Sequence, residues 1–124
     1  MLGLGRLKVA IEELKARRGD PPWVERIVDN DRFAVTVICQ APGHPNDRHF
    51  HVTQECWYVH EGELSWSMEG EDEPIHVRAG EWILAPANCF HLIQVHGDRP
   101  AIRVAVSVAG EPHRRDRPEP AEPG

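Results

Sequence analysis

The stretch 48-RHFHVTQE-55 places His49 and His51 one residue apart and Glu55 four residues after the second histidine. In an extended strand alternate side chains share a face, so the two imidazoles point the same way, close enough to chelate. Glu55 keeps that parity, and a hairpin return can bring its carboxylate beside both rings even if a tight turn intervenes. Imidazole and carboxylate form a donor set that divalent first-row metals accept. A third imidazole is available from His91, which follows 80-GEWILAPANCF-90 and opens another β-like run. The other five of the eight histidines, His44, His60, His76, His96 and His113, are assigned to turns and surface.

Working outward, apolar residues recur with a period of two from Phe33 onward. RFAVTVICQ (32–40), WYVH (57–60), ELSWSM (63–68), IHVR (75–78), WILA (82–85), HLIQVH (91–96) and AIRVAVSV (101–108) are short runs rich in Val, Ile and aromatics. Gly, Pro, Asn and Asp cluster between them, in APGHPND, HEGE, EGEDEP, RAGE and HGDRP. Such spacing describes about seven or eight strands. No long helix interrupts them, which excludes a parallel sheet with crossover helices and leaves an all-β fold, an antiparallel jelly roll or small barrel.

The segment before the strands reads differently. Leu4, Leu7, Ile11 and Leu14 recur at spacings of three and four, predicting an amphipathic helix that covers a sheet or a barrel end. Lys15, Arg17 and Arg18 complement the helix dipole, Gly19 can take the left-handed cap, and Pro21 and Pro22 forbid continuation. The expected organisation is therefore a helix and connector over 1–21, a β-barrel over 22–109, and a disordered tail rich in Pro and charge over 110–124.

With 14 Lys and Arg against 20 Asp and Glu, the net charge is −6, and no basic cluster suits a phosphate backbone, so nucleic acid is not an expected partner. No apolar run approaches the roughly 20 residues that span a bilayer, and no signal peptide is evident, so the cytoplasm is the expected location. Cys39, Cys56 and Cys89 are odd in number and lie outside any CxxC spacing, which favours buried thiols over a disulfide framework or zinc knuckle.

The spacing Gly43, His49, His51, Glu55, Gly62 reproduces in full the first motif of the cupin superfamily, and Gly80, Pro86, Asn88, His91 resembles the second. Asn88 stands where the family has glycine, and Val95 where it has asparagine. Asparagine tolerates positive φ, so Asn88 can keep the turn before His91. Gln94 has the opposite strand parity to Val95 and does not replace the missing amide. The resemblance spans about Val35 to Val108. It implies a jelly-roll β-barrel in which His49, His51, Glu55 and His91 ligate one divalent transition metal, and a homodimer paired through its sheets.

Cupins of this pattern hold iron, manganese, nickel, copper, zinc or cobalt. Fe(II) is the first choice, because mixed nitrogen and oxygen ligation with open positions suits oxygen activation; Mn(II), Ni(II) and Zn(II) follow. The implied activity is that of a mononuclear metal dioxygenase or related oxidoreductase on a small organic substrate. The alternatives are a non-redox isomerase, lyase or hydrolase using the metal as a Lewis acid, and a non-catalytic small-molecule-binding protein. The stretches ECWYVHEGELSWSMEG and ILAPANCFH also resemble the small cupins that cleave 3-hydroxyanthranilate. Asp47, Val95 and Val106 stand where those enzymes carry substrate-binding arginines and a glutamate, which argues against that substrate.

Strand parity turns Trp57 and Val59 to the same side as Glu55, making Trp57 the expected pocket residue, and turns Cys56, Tyr58 and His60 away. Leu64, Trp66 and Met68 share one face of the next strand, and Phe33, Val35 and Val37 share one earlier; both sets are expected in the core or a subunit interface.

Overall fold

The computed structural model describes residues 1–116. One helix, α1 (Ile11–Arg18), precedes eight strands: β1 (Trp23–Asp29), β2 (Phe33–Gln40), β3 (Glu55–Glu61), β4 (Glu63–Met68), β5 (Ile75–Arg78), β6 (Trp82–Ala85), β7 (His91–His96) and β8 (Ala101–Val108). All pairings are antiparallel, in a five-stranded sheet of order β1-β2-β8-β3-β6 and a three-stranded sheet of order β5-β4-β7. Trp57, Val59, Leu64, Trp66, Met68, Val77, Ile93 and Val95 fill the space between the sheets. Their removal from water is the main force holding the two layers together. The jelly-roll expectation is met.

Gly62 is the single residue between β3 and β4, where the chain crosses from one sheet to the other. Its φ is 84°, and a β-carbon there would lie 2.8 Å from Ala101 Cα and 2.9 Å from the Pro100 carbonyl oxygen. Only glycine meets both demands.

The helix is shorter than its apolar spacing predicts. Leu4 and Leu7 are exposed, and Gly3 and Gly5 interrupt the segment, each costing about 1 kcal/mol in a helix. From Ile11 the helix forms, and Gly19 closes it with its N–H donating to the Lys15 carbonyl at 2.9 Å, not in the left-handed conformation expected but at φ 74°, ψ −135°, a region that glycine reaches. Leu14 packs on the outer face of the five-stranded sheet with Trp23, Val37, Cys39 and Ile102. The strand β1 is not among the sequence runs. Its Glu25 and Arg26 break the apolar alternation, and pairing with β2 defines it together with the burial of Trp23 at its start. Phe33, Val35 and Val37 do share a face, the outer one, which the helix covers at Val37 and leaves open at Phe33.

Residues 111–116, expected to be disordered, lie against the barrel mouth, where Phe50 and Arg114 form a β-bridge. The rest of the expected tail, 117–124, lies outside the described residues. Among the described residues no helix is long and apolar enough to cross a membrane.

Candidate metal centre

His49, His51, Glu55 and His91 meet at one end of the barrel, though not as one regular strand. His49 forms an isolated bridge with His91: its N–H donates to the His91 carbonyl at 3.2 Å, and the His91 N–H donates back at 2.9 Å. Two residues on, the His51 carbonyl accepts from the Asn88 N–H at 2.7 Å. Asn88 sits at φ 59°, the left-handed conformation expected of it, and the chain then turns into β7 at His91. Bends at Val52 and Thr53 separate His51 from Glu55, the first residue of β3.

The three rings converge, with centroids 5.1 Å apart for His49 and His51, 4.5 Å for His49 and His91, and 5.7 Å for His51 and His91. In each, Nδ1 faces a backbone carbonyl: that of Asp47 at 3.1 Å for His49, Pro112 at 3.0 Å for His51 and Cys89 at 3.4 Å for His91. A carbonyl only accepts, so the proton of each neutral ring resides on Nδ1 and Nε2 keeps its lone pair. This is the outer-shell arrangement that orients metal-binding histidines. His91 is 1% exposed and its buried Nε2 has no hydrogen-bond partner among the described residues. An orphaned acceptor of that kind costs free energy unless something binds it. Nε2 of His51 lies 2.9 Å from Glu55 Oε2, close in distance but not aligned as a hydrogen bond. Imidazole nitrogens and a carboxylate are donors that a divalent metal accepts, but of the four expected ligands only His49 and His51 belong to the group of described residues whose ligand atoms all lie within 4.8 Å of one another; His91 and Glu55 border it, Glu55 through Oε2 at 2.9 Å from His51 Nε2.

Protonation follows the same geometry. Burial, with His49 alongside, pushes His91 down to about 4, and burial, with His113 alongside, also lowers His49. His51 goes the other way: burial pulls it down, but the Glu55 carboxylate, the Pro112 carbonyl and Glu111 outweigh it. His49 and His91 therefore offer neutral nitrogens near neutrality, and a metal arriving at His51 competes with a proton.

Trp57 faces inward as parity predicts, but it is fully buried in the core, its ring 5.1 Å from that of His91. It backs the histidine rather than lining an open pocket. Cys56 is half-buried and Cys39 buried, both as thiols.

Two residues escaped the sequence reading. His113, assigned there to a surface or turn role, stacks flat on His49, centroids 4.0 Å apart and planes 3° apart, and stands edge-on to His51 at 5.1 Å. The ligand atoms of His49, His51 and His113 all lie within 4.8 Å of one another. Nothing in its charged, proline-rich surroundings signals this. Arg103 is the other: 5% exposed, on the inner face of β8 between Ala101 and Ala105, it donates from Nη1 to Gln40 Oε1 at 2.8 Å. It makes no ion pair among the described residues, and its Nε has no hydrogen-bond partner there. Burial lowers it to about 10, partly offset by the field of Glu55. The period-two reading of AIRVAVSV already puts Arg103 on the face of two alanines, a signal that was available.

The sequence profile of the cupin domain matches residues 36–108. No curated protein sequence matches the chain. Among solved structures, an uncharacterised protein with a double-stranded β-helix domain from Klebsiella pneumoniae superposes with a TM-score of 0.70 at 23% identity, covering 89% of this chain and 98% of that one. An RmlC-like cupin from Methanocaldococcus jannaschii gives 0.67 at 20% identity, covering 75% and 84%. The polyketide cyclase RemF from Streptomyces resistomycificus gives 0.66 at 24% identity, covering 76% and 70%. At these identities the likeness concerns the fold.

Proposed function

This chain belongs to the cupin family, and from that premise we propose that it is a metal-dependent enzyme acting on a small organic molecule, with His49, His51, Glu55 and His91 as ligands. The observation that carries this reading is the set of three Nδ1 contacts to backbone carbonyls, which leaves Nε2 of His49 and His91 as unprotonated donors beside His51 and the Glu55 carboxylate. A bound divalent metal would supply Lewis acidity and, if redox-active, oxygen activation.

The chain's own residues divide the remaining work. The Asp47, Pro112 and Cys89 carbonyls orient the imidazoles. Glu55 contributes the one negative charge, and Trp57 excludes water behind His91. Arg103 adds a buried positive charge deeper in the barrel, an environment that favours a substrate with an anionic or oxygen-rich group.

Our first reading is an Fe(II) dioxygenase or related oxidoreductase. The second is non-redox isomerase or lyase chemistry with Mn(II), Ni(II) or Zn(II), favoured by the likeness to a polyketide cyclase. An oxygen electrode separates them: the Fe(II)-loaded protein should consume oxygen with a catechol or diketone. Turnover of such compounds without oxygen uptake would select the second reading.

The exposed Phe33, Leu84 and Val108, on the outer sheet face that the helix leaves open, support the homodimer. Light scattering on the eluted protein tests it. The cytoplasm is the location we infer, from the thiols Cys39 and Cys56.

A further inference from the structure

We propose that residues 111–116 form a strap that completes the metal centre, with His113 as an additional, exchangeable nitrogen ligand to the ion held by His49, His51, Glu55 and His91. This rests on the metal-site reading above.

The strap is fixed to the ligand segment at nearly every residue. The Val52 N–H donates to Glu111 Oε1 at 2.7 Å. His51 Nδ1 donates to the Pro112 carbonyl at 3.0 Å. Phe50 and Arg114 exchange backbone N–H to carbonyl bonds, both at 2.9 Å, and the Arg114 guanidinium lies over the Phe50 ring at 5.7 Å. Arg115 pairs with Asp47, whose carbonyl orients His49. These tie points bracket His113, whose ring lies flat on that of His49 with its ligand atom inside the 4.8 Å group; two parallel rings cannot both aim an in-plane lone pair at one ion, so ligation turns the exposed His113 ring out of this stack.

The contacts also set how firmly the strap is held. They are polar rather than apolar, and such bonds contribute about 1 kcal/mol each after water is counted. His113 is exposed while His49, His51 and His91 are buried. Of the four nitrogens, it is the one that an incoming molecule can displace without disturbing the core. The Pro112 carbonyl adds a second link: undocking the strap removes the group that keeps the His51 proton on Nδ1. Metal binding and strap docking are therefore coupled, and by linkage each strengthens the other equally.

The test uses the full chain and Co(II) as the probe. Titration calorimetry on wild type, His113→Ala and His91→Gln reads affinity, and hydrogen exchange reads the strap amides with and without Co(II). The expected results are a loss of affinity of at least about tenfold in His113→Ala, and slower exchange at Arg114 on Co(II) binding in wild type but not in His113→Ala. Unchanged affinity in His113→Ala, with exchange at Arg114 indifferent to Co(II) while His91→Gln loses the metal, overturns the strap and leaves the metal site standing. Failure of wild type to bind Co(II) overturns both.

Discussion

The Asn88 N–H donates to the carbonyl of His51 at 2.7 Å, joining the turn that delivers His91 to the segment that carries the other two imidazoles. The two sequence motifs are thus one structural unit, and the left-handed φ of 59° at Asn88 is what permits the contact. Asn88→Gly should keep stability within about 1 kcal/mol, because glycine reaches this conformation without strain. Asn88→Val should cost about 1–2 kcal/mol or more, since a β-branched residue strains there. Urea denaturation of the two variants checks the ordering.

Glycines at the ends of the motifs should not be equivalent. A β-carbon at Gly62 meets Ala101 and Pro100 below 3.0 Å, whereas at Gly80, φ 93°, nothing lies within 4 Å. Gly80→Ala should cost about 1–2 kcal/mol from conformation alone. Gly62→Ala adds overpacking and should cost about 2–4 kcal/mol. Equal losses in thermal denaturation would contradict the close approach of the turn after β3 to the start of β8.

Metal-free protein should lose stability in mild acid. His91 titrates at about 4 when folded and near 6.5 when unfolded, so between these values the unfolded chain binds more protons. The contribution is complete above about 6.5 and is lost as pH falls toward 4, about 3 kcal/mol for this group. His49 and His113 act in the same direction and His51 opposes them. Urea titrations across this range should give a flatter profile for His91→Gln, and an unchanged slope would remove His91 as the source.

Arg103 should be a stability liability. A buried cation without a carboxylate partner bears its desolvation cost, and replacement by an apolar side chain of similar length is commonly neutral or stabilising. Gln40 Oε1 keeps its bond from Asn46 Nδ2 at 3.2 Å when the guanidinium is gone. Arg103→Met should therefore match or exceed wild-type stability in urea, and a loss above about 2 kcal/mol would show that the guanidinium holds the barrel together.

Sequence pattern located the strands from β2 onward because each has an apolar side to bury, as in Leu64, Trp66 and Met68 of β4. It missed β1, whose charged residues lie on a sheet edge where backbone pairing suffices, and it overextended the helix because Leu4 and Leu7 mimic an apolar stripe that touches nothing. The spacing of His49, His51 and Glu55 was legible since one short segment supplies all three. His113 was not: its place depends on backbone bonds between Phe50 and Arg114, which no residue type encodes.

The most direct test of the metal centre is elemental analysis, as metal per chain, of wild type, His49→Ala and His96→Ala purified without chelator and reloaded with Fe(II). Wild type and His96→Ala should each hold close to one ion per chain, since the wild-type His96 imidazole bonds Ser65 at 2.7 Å away from the site, and His49→Ala should be empty while keeping its β-sheet circular dichroism. Equal metal in His49→Ala and wild type would contradict the ligand assignment.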